Sequence, residues 1–266
     1  MDDINDNIPG PQPVQPRPQY TQYFLEFIFV FLAVFLGFLA DGYREEQSEK
    51  RQAFQLARSF YEELQHDSAA VVSKINGRIK KEKAIEYMIA VLRDSNLNIT
   101  SKELSIKFIW ATTTRTPIIF TPRIIVLEQL KNSDGLRFFT DRQIHKLVGE
   151  YSVAIDYINT RQILEAQVYK DYIEPIMVKH MDYEFQHKLF INGIFDRLAQ
   201  YETSDEYIPF RLSQISSIDR QGYINALSYY HTNNIKSTRL IPFADYARIN
   251  AELLAELRKE FALNQQ

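Results

Sequence analysis

From Tyr23 to Ala40 (YFLEFIFVFLAVFLGFLA) the chain is apolar on every face a helix could present, interrupted by one charge, Glu26. Counted from Thr21, the run is about 20 residues, which at roughly 1.5 Å per residue matches the ~30 Å hydrocarbon thickness of a bilayer. The pattern predicts a membrane-spanning helix over 21–42. Tyr20 and Tyr23 on one side and Tyr43 on the other fall where an interfacial aromatic belt sits. Past that point the period changes. Phe54, Ala57, Tyr61, Leu64, Val71, Ile75, Ile79, Ile85, Ile89 and Leu92 recur mostly three or four apart with charge between them, the signature of an amphipathic helix. No proline stands between Pro18 and Pro117, so the membrane helix is predicted to run on into this stalk, 43–94, with Gly42 and Gly77 as weak points.

The remainder, 95–266, also reads as helical. Thr100-Ser101-Lys102-Glu103 has capping-box spacing and opens a helix reaching Trp110, and Thr121 before Pro122 opens a short one to Lys131. Thr140-Asp141-Arg142-Gln143 is a second capping box. It is followed by Ile144, Val148, Tyr151, Ile155 and Ile158 at alternating four and three spacing, a coiled-coil-like seam. That helix is predicted to end or kink before Pro175; further helices are predicted over Ile176–Leu198, Ser217–Tyr230 and Pro242–Leu263, with Tyr201–Ile218 as the long loop. The β-branched and aromatic stretch Ile106–Val126 is the one place where two short strands compete with helix. The fold class is therefore all-α: one N-terminal transmembrane helix continuing into an amphipathic stalk and an elongated helical-bundle domain.

The flanks qualify the membrane reading. Residues 1–20 carry Pro9, Pro11, Pro13, Pro16 and Pro18, which makes this tail an extended polyproline-like arm, best read as a solvated spacer. Its Asp2, Asp3 and Asp6 against Arg17 alone do not match the basic start of a cleaved signal, and Phe38-Leu39-Ala40 is no small-x-small cleavage site. Arg44, Lys50, Arg51 and Arg58 follow the apolar run, so the C-terminal domain is predicted to face the cytoplasm from the inner membrane. Of 31 basic and 34 acidic residues, only Arg17 and five acids precede position 44, leaving the domain balanced to within one charge. That is no electrostatic footprint for nucleic acid. Arg78, Lys80, Lys81 and Lys83, interleaved with Glu82 and Glu86, read as a solvated helix face. The absence of cysteine rules out disulfides and thiolate chemistry.

Candidate chemistry is sparse. The chain has no Gly-rich phosphate loop, His-Glu-x-x-His helix or nucleophile-elbow spacing. Glu-x-x-His occurs at Glu63/His66 and Glu184/His187, with His180 a turn before Glu184, a spacing that di-metal carboxylate bundles use. Each His lies about 200° around its helix from the neighbouring apolar stripe, however, and a bundle-core metal must face inward. The sequence thus assigns no catalytic, cofactor or metal residue. On the membrane helix, Glu26, Ala33 and Gly37 lie within about 40° of one another, and Ala33-x-x-x-Gly37 is a small-x-x-x-small pair that permits close helix packing.

Two motifs in order resemble a family. The run opened by Glu26 and leading into Asp41-Gly-Tyr-Arg-Glu-Glu46, and then Leu130-Lys131-Asn132-Ser133-Asp134-Gly135-Leu136-Arg137, are similar to an uncharacterised bacterial family of single-pass membrane proteins. In that family a Glu opens the apolar run and a Leu-Lys-x-Ser-x-Gly-x-Leu-Arg type turn lies inside the domain. The likeness covers roughly Tyr23–Tyr151; Asp41-Gly42-Tyr43 stands where an Asn-Asn-Trp-like turn is usual. It implies an anchor plus a helical domain and brings no activity. Read physically, the second motif is a helix connector, with Leu130 closing one helix, Gly135 suited to the left-handed ending conformation and Leu136 packing back. Lys131, Ser133 and Arg137 as an anion-binding turn is the functional alternative. The expected function is a membrane-anchored interaction or assembly protein, with a helical sensor or signalling subunit second and a carboxylate-histidine metal enzyme third. Expected partners are the lipid bilayer, a second copy through the membrane helix and the helical seam, and an unidentified protein.

Overall fold

The computed structural model describes residues 20–94, 96–114, 117–132, 135–189 and 194–263, and the regular structure among them is all helical. Residues 1–52 and 53–266 form two separate units. The tail predicted over 1–20 lies, but for Tyr20, outside the described residues.

Helix α1, Tyr20–Asp94, is continuous for 75 residues, as the absence of proline allows. Within the first unit its apolar run is covered by no protein. From Ala53 the same helix enters the folded domain, and the face spaced three and four apart is buried at Ala57, Leu64, Val71, Ile85 and Leu92. The stretch anticipated as a stalk therefore supplies core to the domain.

Helix α2, Lys102–Thr112, begins at Ser101, whose Oγ accepts the Leu104 amide at 3.0 Å. Helix α3, Ile125–Asn132, starts later than Thr121-Pro122 suggests, because its free amides are satisfied from α1. Asp67 Oδ2 accepts from the Arg123 amide at 2.8 Å and Glu63 Oε2 from the Val126 amide at 3.1 Å. A 3-10 turn, Gly135–Phe138, leads to α4, Arg142–Val168, whose N-cap is Asp141, accepting from the Gln143 amide, one residue later than the Thr140 that the capping-box spacing names. Between Ile106 and Val126 the described residues are helix to Thr112, irregular backbone to Ile124 and helix again from Ile125, with no strand.

Prolines shape the C-terminal half of the domain. Ahead of Pro175, α4 passes into a π-turn, Tyr169–Ile173, and then α5, Glu174–His180, so the helix absorbs an extra residue and places the proline where its missing N–H is harmless. After a break at Met181-Asp182 come α6, Tyr183–Leu189, and α7, Ile194–Thr203, where one helix was predicted. The irregular segment 204–214 and a 3-10 turn, Ile215–Ser217, occupy the predicted loop. The two helices expected at the C-terminus are one run: α8, Arg220–Tyr229, continues through π-turns Tyr230–Lys236 and Arg239–Phe243 into α9, Ala244–Phe261. Pro242 sits inside the second π-turn, which lets the helix pass through it.

The domain holds two hydrophobic cores. One gathers Phe60, Leu64, Leu130, Ile144, Tyr151 and Leu253, from α1, α3, α4 and α9. The other gathers Ile85, Phe108, Ile176, Phe185, Phe210 and Leu227, from α1, α2, α5, α6, α8 and the loop after α7. The seam Ile144–Ile158 is filled by this chain's own α1 and α9. Three helical runs pass from one core to the other: α1 between Val71 and Ala84, α4 with its π-turn between Ile158 and Ile173, and α8 to α9 between Ile235 and Phe243.

Candidate functional site

The crossing between the cores is polar on all three runs. Arg78 of α1, completely buried, donates from both Nη atoms to the carboxylate of Glu165 on α4, at 2.8 and 2.9 Å, and its guanidinium stacks 4.3 Å above the Phe243 ring. This bidentate fork gives each oxygen of the nearly buried carboxylate a donor, and breaking it would strand a buried charge. One turn on, Glu82 accepts from Arg239 Nε at 2.6 Å and Nη2 at 2.8 Å, tying α1 to the second π-turn. Arg161 of α4 donates to Asn233 O and Ser237 Oγ, so the third pair of runs is also stitched together. Among the described residues, Arg78 Nε and Asn234 Nδ2 are buried without a hydrogen-bond partner.

Lys81, also completely buried, lies beside them. Its Nζ donates to the carbonyls of Trp110, Ala111 and Thr113 at 3.0, 3.2 and 2.6 Å. These are C-terminal carbonyls of α2 that the helix leaves unmet, so a lysine of α1 caps α2. Burial pulls the Lys81 ammonium down to about 7, the charge of Glu165 opposing and that of Arg78 reinforcing the fall. Close by, a side chain at Gly77 would overlap the Pro117 carbonyl, so α1 and the chain after α2 touch backbone to backbone.

These residues correct the sequence reading of Arg78, Lys80, Lys81 and Lys83 as a solvated face. Lys80 and Lys83 are exposed, while Arg78 and Lys81 are interior. The sequence offered one signal for this: Arg78, Lys81 and Ile85, three and four apart, share the stripe that carries Leu64 and Val71.

A second buried network sits in the α3/α4/α9 core. Tyr246 donates to Asp67 Oδ2 at 3.0 Å and its hydroxyl lies 2.6 Å from that of Tyr151; Asn250 Nδ2 donates to Leu64 O at 3.2 Å. Burial raises the Tyr246, Tyr151 and Glu63 groups, and the amides of Val126 and Leu127 offset part of the rise at Glu63. Asp67 and Glu63 are thus committed to capping α3.

That commitment also places the Glu-x-x-His pairs. Glu63 serves α3, His66 is half exposed, and Glu184 and His187 are exposed on α6. His180 is buried, with Nδ1 2.7 Å from Ser213 O and Nε2 2.9 Å from Tyr223 Oη. Nδ1–H therefore donates and Nε2 accepts, the neutral tautomer that burial favours. Among the described residues no three of His, Asp and Glu are grouped to hold a metal.

The turn motif sits beside the α3/α4 core. Leu130 is buried, Leu136 packs against the core, and Gly135 is the first residue of the 3-10 turn. Lys131 Nζ donates to Ser152 Oγ at 3.1 Å and lies 3.4 Å from Glu128, while the Arg137 guanidinium covers the Phe138 ring at 4.8 Å. Ser133 lies outside the described residues. On the apolar part of α1, Glu26, Ala33 and Gly37 are exposed along one face, and Phe27, Phe31 and Phe35 stack 6.4 and 6.1 Å apart on another.

Comparison with protein-family models, with curated proteins and with solved structures returns no match for this chain.

Proposed function

We propose that the apolar part of α1 spans the inner membrane and anchors the helical domain on the cytoplasmic side as an interaction or assembly module rather than a catalyst. One observation carries the reading. The run Tyr23–Ala40 has a mean hydropathy of 2.4 over its best window, and none of that window is buried against protein. In water, an exposed run of large apolar side chains of this kind would drive aggregation; in lipid they need no cover. The family resemblance supports the same division of labour, and the Arg44, Lys50, Arg51 and Arg58 cluster supports the orientation. The stripe Glu26, Ala33, Gly37 is the face through which we propose a second copy associates in the membrane.

A second reading, a sensor or signalling subunit, draws on the continuity of α1, which is one helix from Tyr20 to Asp94.

Because the chain lacks cysteine, single cysteines report topology cleanly. A cysteine at Tyr207, which is exposed in the loop after α7, is expected to resist an impermeant maleimide in intact cells and to react after permeabilisation, while one in the N-terminal arm reacts at once. The reverse pattern overturns the orientation, and release of the protein from membranes by alkaline carbonate overturns the anchor.

A further inference from the structure

The seam Ile144–Ile158, expected to receive a second copy, is closed by α1 and α9, but the opposite face of α4 is open. On that side α4 and its π-turn run antiparallel beside the α8 to α9 run, with a groove between them. Val153, Tyr157, Leu164 and Tyr172 follow one another along α4 at intervals of four, seven and eight, which keeps them on one stripe. Tyr229 and Ile241 stand on the other wall. All six are large and apolar or aromatic, and each is 42–69 % exposed. The groove holds two apolar depressions. One lies among Val153, Tyr157 and Pro242, the other among Val168, Tyr172, Ala226 and Tyr229. Arg161 separates them, with its guanidinium already given to Asn233 O and Ser237 Oγ.

We propose that this face is where two copies of the domain associate. Its size fits. Half of a large side chain is on the order of 100 Å², so the six expose on the order of 600 Å², the lower end of what one partner brings to a stable specific interface, roughly 600–1,000 Å². Its chemistry fits a copy of itself. A two-fold contact sets the same patch on both sides, so the patch must complement itself. Half-exposed tyrosines supply projections, and the two depressions supply recesses of side-chain size. The margin of the first depression carries two bases and two acids, Lys146 with Glu150 at 3.6 Å and Arg248 with Asp245 at 3.9 Å. Among the described residues no charged side chain lines the second. Such a face repels no copy of itself, whereas a strongly charged partner finds no counterpart there. The contact extends the assembly reading above but lies in the domain, independent of the Glu26, Ala33, Gly37 face of the membrane helix.

Cross-linking of the full chain in isolated membranes tests this, because the protein has no cysteine of its own. Single variants Val153→Cys, Leu164→Cys and Tyr229→Cys are treated with a short bis-maleimide, with Tyr207→Cys, exposed in the loop after α7, as the measure of random collision. At least one of the three should give a product of twice the chain mass, several-fold above Tyr207→Cys. Adding Tyr157→Glu or Ile241→Glu should reduce that product several-fold while circular dichroism and the urea midpoint stay at the parent values, since both positions are half exposed. Adding Gly37→Ile should leave it in place. Yields no higher than Tyr207→Cys, or a product whose mass is that of this chain joined to a different protein, overturn the proposal. So does a yield indifferent to both Glu substitutions. Loss of the product in Gly37→Ile alone also overturns it, by assigning the association to the membrane helix.

Discussion

The two ends of α1 invert the usual arrangement of a protein interior. Between Tyr23 and Ala40 the helix shows large apolar side chains with nothing packed on them; between Gly77 and Glu82 it buries an arginine, a lysine and a glutamate completely or almost so. The two ends call for surroundings that differ from water in opposite ways. The first is compatible with a medium that asks nothing of side chains except that they be apolar, provided the helix meets its own backbone hydrogen bonds. The second has each of its charged groups held by partners at 2.6–3.2 Å, so that charge can leave water without being left alone. The same helix thus teaches that polarity along a sequence does not fix which side faces solvent; the availability of partners does.

The contrast between the two ends is most exposed to test at the ion pair. Arg78→Ala or Glu165→Ala strands the remaining charge in the interior and should lower stability by about 3–5 kcal/mol, read by urea unfolding of the full chain monitored by circular dichroism. The double replacement Arg78→Met with Glu165→Leu should recover most of that loss, because it removes the charge and its desolvation together. Equal losses for the single and double variants would mean that packing rather than charge holds the crossing.

A smaller effect separates two glycines of helix interiors. Alanine normally improves a helix by up to about 1 kcal/mol over glycine, and Gly149→Ala should do so, since a side chain there meets nothing. Gly77→Ala should instead destabilise by about 1–3 kcal/mol, because its methyl would force α1 away from the Pro117 carbonyl. A gain at both positions would show that this close approach is not needed. The smallest effect belongs to the exposed end. Gly37→Ile or Ala33→Ile should weaken self-association in a membrane two-hybrid assay by roughly 1 kcal/mol, while Phe35→Ile, on another face, leaves it unchanged. Identical signals from all three would remove the small-residue face as an interface.

The sequence alone made the helical class legible, because the spacings of three and four are local and the caps at Ser101 and Asp141 act within a few residues. It also marked the apolar run, since composition over about 20 residues is enough to define it. The candidate site was far less legible. Arg78 and Lys81 are ordinary surface residues by composition; what buries them is Glu165, 87 positions after Arg78, and the end of α2, 29 to 32 positions after Lys81. The prolines misled for a related reason: Pro175 and Pro242 break an isolated helix, but packing on both sides of each makes a π-turn the cheaper accommodation. Likewise α3 begins where Asp67 and Glu63 reach its amides rather than where its own residues favour a start. Local sequence determined which segments coil, because helix hydrogen bonds close over four residues. Only the tertiary structure decided which charges lie inside, because a buried charge is stable only beside a partner that distant sequence brings to it.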